Sequence, residues 1–178
     1  MKNTVLLVVD VQNALVENNP FNKERVIDNI KKLIISSRKN NIEVVYIRHT
    51  EEAGSDFEKN TYGWEIYSEV KPVDNEIIFD KKFSSAFHKT GLEIYLDSKD
   101  TENIILVGMQ TEYCIDATCK SAFDLGYNVI IPEETNTTFD NKIFNAKDLY
   151  NFYNYRIWNN RFARLVSIFE LETMICNV

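Results

Sequence analysis

Histidine is nearly missing from this chain. Its 178 residues hold only His49 and His88, too far apart to begin a zinc site. Cysteine is scarce as well: three residues, an odd number without paired spacing, argue against a disulfide framework. They fit a reducing compartment, and the expected location is the cytoplasm. No apolar run reaches transmembrane length. The run at 5–9 is closed by Asp10 and is too short for a span or a signal peptide. Positive charge is in deficit, with 20 Lys and Arg against 27 Asp and Glu. The resulting net charge of −7 argues against nucleic acid or an anionic membrane as a partner. Linkers, internal repeats and low-complexity tracts are also lacking, so the length suits one domain over 1–178 with a sizeable core.

What is present alternates between two patterns. Thr4–Val9 is an aliphatic run that reads as a buried strand ending at Asp10. From 23 to 39, Val26, Ile27, Ile30, Leu33 and Ile34 recur at helical spacing, and 42–47 is a second strand closing on Arg48 and His49. Residues 51–75, with Trp64 and Tyr67, form a long loop without periodicity, a length more often functional than idle. A third strand is expected at 76–80, then a helix at 91–98 with Thr90 as its N-cap. A fourth strand falls at 103–107 and a helix at 114–125. Gly126 stops that helix before a fifth strand at 127–131. The polar stretch 132–138 reads as a loop, and 145–162 as an aromatic-rich helix with Leu149, Phe152, Tyr153 and Ile157 on its apolar face. A short strand at 163–166 and a helix at 169–175 complete an α/β doubly wound sheet.

In such sheets ligands bind outside the carboxyl ends of the strands. Three reactive residues fall there: Asp10 after the first strand, Lys81 after the third, and Cys114 after the fourth. A cysteine attacks as thiolate, so a partner must take its proton; Asp10 is a candidate, and the Lys81 ammonium stabilises nearby anions. Cys114 is expected in the first turn of its helix, where unpaired N–H groups and the dipole favour a thiolate. Read singly, each has a plainer role: a buried small hydrophobe, a turn-capping carboxylate, a solvated surface lysine.

Taken in order, Val5 to Asn13 with Asp10, Lys81 four residues before Ser85-Ala86-Phe87, and Gly108-Met109-Gln110-Thr111-Glu112-Tyr113-Cys114-Ile115 resemble the isochorismatase-like cysteine hydrolases. The resemblance implies a three-layer α/β/α sandwich with a mainly parallel six-stranded sheet. It implies a catalytic triad of Asp10, Lys81 and Cys114, with Lys82 a rival that the spacing to Ser85 disfavours. It also implies a cis peptide at Met109–Gln110 and an oxyanion hole made by the backbone N–H groups of Gln110 and Cys114. Nicotinamidases of the family carry two histidines after the second strand. The stretch Arg48-His49-Thr50-Glu51-Glu52-Ala53 has one, so no metal and no cofactor are expected.

The reading is therefore a cysteine hydrolase of a small amide-type substrate working through a thioester. Vinyl-ether hydrolysis of isochorismate type, or an idle binding member of the family, are the alternatives. His49, Trp64, Phe87, Gln110 and Tyr113 are the candidate substrate-binding residues, although Trp64 and His49 equally suit structural roles. Cys119, about 140° around the helix from Cys114, belongs to the core, and Cys176 is structural or incidental. The aromatics Tyr150, Phe152, Tyr153, Tyr155 and Trp158 are too spread for one buried stripe. Some of them are expected at a subunit interface, and the resemblance implies a homodimer or homotetramer.

Overall fold

The structure is a computed structural model and describes residues 1–176. Along the chain its strands are Thr4–Val9 (β1), Glu43–His49 (β2), Ile78–Lys81 (β3), Asn103–Met109 (β4), Asn128–Pro132 (β5), Asn136–Thr137 (β6) and Arg164–Val166 (β7). The helices are Asn13–Val16 (α1), Lys23–Lys39 (α2), Leu92–Asp97 (α3), Asp116–Asp124 (α4), Ala146–Asn151 (α5) and Ile168–Cys176 (α6). Every strand pairing is parallel, in the order β3-β2-β1-β4-β5-β7, with β6 added alongside the end of β4. The sheet thus has seven strands rather than the expected six.

The extra strand lies in the stretch 132–138 that reads as a polar loop. Thr135, Asn136, Thr137 and Thr138 are all fully buried. No apolar periodicity marks them, and polar partners hold three of the four side chains: Thr135 donates to Pro132 O at 2.7 Å, Thr137 donates to Phe21 O, and the Asn136 amide accepts from Thr111 at 2.8 Å. Buried polar groups with partners cost little and leave no hydrophobic signature.

Because β1 is covered on both faces, its side chains divide between two cores. Leu6 and Val8 meet Val26, Ile30 and Leu33 of α2 and Leu171 of α6; Val5, Leu7 and Val9 meet Leu92 and Leu96 of α3 and Cys119 and Ala122 of α4. Each buried aliphatic contributes about 1.5–3 kcal/mol, which fixes three layers. Cys119 is fully buried as its helical phase requires; the side chain of Cys176 lies outside the described residues.

The aromatic segment departs from a regular helix. After α5 the chain winds as a π-helix over Phe152–Trp158, whose i→i+5 bonding turns every fourth residue inward. Tyr150, Asn154 and Trp158 are buried, while Phe152 and Tyr155 point out, 52% and 50% exposed. The expected apolar face, with Phe152 at its centre, was drawn for a period that this segment does not keep. A similar shift affects the segment after β4. It begins as a π-helical turn, Thr111–Ile115, so Cys114 precedes α4 and does not belong to its first α-turn. Thr90 lies one residue before the α3 N-cap Gly91, yet its hydroxyl still accepts from Leu92 N–H at 3.2 Å.

Strand order decides where a ligand can bind. From β1 the chain steps outward to β2 and β3, then returns to place β4 on the other side of β1. The crevice at this reversal lies between the carboxyl ends of β1 and β4, with Val9 level with Gly108. Asp10 and the Gly108–Cys114 segment flank it.

Candidate active site

Asp10 leaves β1 in the left-handed region, φ = 51°, one of the few non-glycine types that tolerate it. Its N–H donates to Ile47 O at 2.9 Å, and its carboxylate is buried. Lys81 ends β3 with its side chain fully enclosed. The ammonium reaches Asp10 Oδ2 at 2.6 Å, Cys114 Sγ at 3.2 Å and His49 Nδ1 at 3.2 Å. An ammonium carries donors only and accepts nothing. His49 Nδ1 must therefore accept, which puts its proton on Nε2, 3.1 Å from Glu51 Oε1. Neither Asp10 oxygen receives a well-directed hydrogen bond. The contact with Lys81 is one of charge, and the carboxylate keeps acceptor capacity.

Burial pushes the Cys114 thiol up to about 12, and the Asp10 charge acts in the same direction; the Lys81 ammonium opposes both without prevailing. The resting sulfur is a thiol, contrary to the thiolate that the helix start alone suggests. Burial would also lower Lys81, but Asp10 and then Cys114 outweigh it and hold the ammonium above its ordinary range. A half-buried thiol between a carboxylate and an ammonium has an acceptor for its proton and a cation for the resulting sulfur anion.

The backbone leading to Cys114 is fixed from several sides. A Cβ on Gly108 (φ = 126°) would stand 2.0 Å from Val9 O, so only glycine lets β4 pass β1 here. The Met109–Gln110 peptide is cis. Gln110 O accepts from Tyr113 N–H and Ile115 N–H at 3.2 and 3.1 Å, whereas Gln110 N–H finds no acceptor among the described residues. Thr111 donates to Asn136 Oδ1 at 2.8 Å, and Asn136 is joined to Asn154 by two amide contacts of 2.9 and 3.0 Å. All three residues are fully buried. On the other flank Gln12 spans β1, β2 and the long loop. Its amide nitrogen donates to His49 O and Trp64 O at 2.9 and 2.8 Å, and its oxygen accepts from His49 N–H at 2.8 Å. Gln12, Asn136 and Asn154 were not singled out from sequence; only the structure reveals that their amides bridge segments distant along the chain.

The candidate binding residues separate. His49 sits directly against Lys81, and Gln110 and Tyr113 flank Cys114, with Tyr113 56% exposed. Trp64 is buried, donates to Thr50 Oγ1 at 2.8 Å and carries the Arg48 guanidinium 3.3 Å from its ring centroid, so it pins the loop. Phe87 is turned away, stacked on Tyr127 at 5.8 Å. Tyr127 precedes β5 at the opposite edge of the sheet, because the Ser85–Ala86 segment is bonded along α4 at Ser121 and Thr118. Lys82 points outward, 67% exposed. Among the described residues no three His, Cys, Asp or Glu side chains are grouped to hold a metal ion, and no helix is long and apolar enough to cross a membrane.

A cavity of about 370 Å³ borders Lys81, Thr50 and Phe83. A larger one, about 590 Å³, opens at the amino ends of β4, β5 and β7 and contains none of the reactive groups. Size does not locate the chemistry here. The arrangement of Asp10, Lys81 and Cys114 can be set beside known proteins, and the isochorismatase domain model matches residues 4–152.

The chain belongs to the isochorismatase family. Streptothricin hydrolase of Streptomyces noursei is 32% identical over 137 residues, 76% of this chain and 50% of that protein. N-carbamoylsarcosine amidase of an Arthrobacter species is 26% identical over 149 residues, 71% of this chain and 56% of that protein. The chain thus spans about half the length of these two curated relatives. A cysteine hydrolase from Pseudomonas syringae superposes with a TM-score of 0.89 over 97% of this chain and 92% of that one, at 23% identity, which establishes the shared isochorismatase fold.

Proposed function

We propose that this family member is a cysteine-dependent hydrolase of a small amide, with Asp10, Lys81 and Cys114 as its catalytic residues. The observation that carries the reading is the single ammonium that touches both a buried carboxylate and the sulfur. In this mechanism Asp10 takes the Sγ proton as the sulfur attacks the carbonyl carbon. Lys81 stays charged and faces the developing thiolate, so the thiolate forms only when substrate is in place. The oxyanion sits against the N–H groups of Gln110 and Cys114. The C–N bond breaks as Asp10 returns its proton to the nitrogen, releasing ammonia or an amine and leaving a thioester. Water, giving a proton to Asp10, then cleaves the thioester to a carboxylic acid and restores the thiol. No metal or other cofactor enters these steps.

The amidase name among the relatives favours C–N chemistry over vinyl-ether hydrolysis. The test is ammonia release from a panel of small amides, with hydroxylamine added to trap the thioester as a hydroxamate. Cys114→Ala should abolish both signals. Turnover that survives Cys114→Ala would instead support a vinyl-ether type of reaction, which needs no sulfur nucleophile.

A further inference from the structure

The cavity beside Lys81 has an unusual charge for an acidic chain. Its walls include Lys59, Lys82 and Lys89, together with His88, Phe83 and Thr50. The one carboxylate in the lining, Asp80, is held by Arg48 at 2.7 Å, and the Lys81 charge is met by Asp10. Lys82 has only the distant Glu52, at 3.7 Å with both side chains mostly in solvent, an arrangement that neutralises little. Lys59 and Lys89 pair with no carboxylate among the described residues. The nearby loop acids are turned elsewhere, Glu51 to His49 and Glu58 to the Gly54 N–H. Three uncompensated ammonium groups thus surround one cavity in a chain of net charge −7.

The rest of the lining suits a small organic anion. Phe83 gives a half-exposed ring, edge-on to His88 at 4.5 Å and 5.5 Å from the Lys89 ammonium. The Thr50 hydroxyl accepts from Trp64 and keeps its own proton free to donate. The cavity adjoins Lys81, the residue whose ammonium lies 3.2 Å from Cys114 Sγ. Low-dielectric walls lined by one sign of charge gather counter-ions.

We infer that the substrate is an amide bearing a carboxylate, with the reacting carbonyl at Cys114 and the carboxylate held among Lys59, Lys82 and Lys89. This rests on the amide-hydrolase reading, and the experiment separates the two. Cys114 is alkylated with iodoacetate and, in parallel, with iodoacetamide, and the ratio of the two rates is measured within each protein. The wild type should show a higher ratio than a free thiol. The triple variant Lys59→Gln/Lys82→Gln/Lys89→Gln should lower it about tenfold at low salt, the order expected for three exposed charges acting through water. Lys59→Arg/Lys82→Arg/Lys89→Arg should retain the wild-type ratio. Lys2→Gln/Lys39→Gln/Lys142→Gln, which makes the same change in net charge at exposed sites elsewhere, should retain it also. In the second arm, ω-amido carboxylates of increasing length are compared with neutral alkyl amides, and the anionic preference should fall in the glutamine triple variant through KM. An alkylation ratio that the glutamine triple leaves unchanged, or that the control triple lowers equally, overturns the anion site whether or not any amide is turned over. A ratio that falls as expected while no amide reacts supports the anion site and sinks the amidase reading instead.

Discussion

Replacing Lys81 by methionine removes the ammonium and keeps most of the side-chain volume. The partner, Asp10, is 1% exposed and receives no well-directed hydrogen bond, so the substitution leaves a buried carboxylate without its counter-charge. Breaking such a pair from one side costs about 3–5 kcal/mol. For a chain of this length that corresponds to a fall of roughly 6–20 °C in Tm, a large part of the roughly 5–15 kcal/mol that holds a domain together. Asp10→Asn in the same background removes the stranded charge, and asparagine tolerates the left-handed backbone at position 10. The double variant should therefore recover stability, with a coupling of about 2 kcal/mol or more between the two sites. Urea unfolding of the four proteins of the cycle gives these values directly. If Lys81→Met costs less than about 1 kcal/mol, the value of a solvent-exposed pair, then water reaches the site and the buried-pair reasoning is refuted.

Three other substitutions follow from the geometry. Gly108→Ala places a methyl group 2.0 Å from Val9 O. It should destabilise the chain by about 4 kcal/mol or abolish folding; a variant as stable as wild type in thermal unfolding would contradict the close approach of β1 and β4. Asn154→Ala leaves the buried Asn136 amide short of a partner and should cost about 1–3 kcal/mol. It should also lower kcat on a reactive amide more than it raises KM, since Asn136 holds the turn through Thr111 and touches no substrate. Cys114 and Lys81 both hold their protons more tightly in the fold than in the unfolded chain. The Cys114 contribution is complete below its unfolded value of 9.0 and is lost as pH rises toward about 12, and that of Lys81 is complete below 10.5 and lost above it. Denaturation midpoints followed from pH 8 upward should decline, and Cys114→Ser should flatten the decline; an unchanged slope would rule the thiol out as a source.

The parts legible in the sequence are those that use apolar side chains or unusual residue types at strand ends. The run Thr4–Val9 announces a strand covered on both faces, and the 3.6-residue recurrence of Val26, Ile30 and Leu33 announces α2. The switch-point edge follows from their alternation, and with it the neighbourhood of Asp10, Lys81 and Cys114. What stays hidden is held by hydrogen bonds. β6 consists of two polar residues; Thr111, Asn136 and Asn154 meet only through amide and hydroxyl contacts between segments distant along the chain. The π-helical turns insert a residue without any composition cue, which shifted the inward face at Tyr150, Asn154 and Trp158. The placement of Phe87 failed for a different reason. Its neighbour Lys81 ends a strand at the reactive edge, but the segment that follows runs down α4 and carries the ring to Tyr127.

β3 is four residues long, lies at the rim of the sheet and is bonded on one side only, to β2. Yet it supplies the ammonium on which the buried carboxylate and the sulfur both depend. Short rim strands open by local fluctuation at far smaller free energy than global unfolding. Each opening of Ile78–Lys81 withdraws the cation while the central strands stay paired. The proposed site would then be lost with one short strand while the rest of the chain stays folded. Amide hydrogens of Phe79 and Lys81 should exchange well before those of Leu7 and Leu106, and mild denaturant should silence the site while most of the sheet persists.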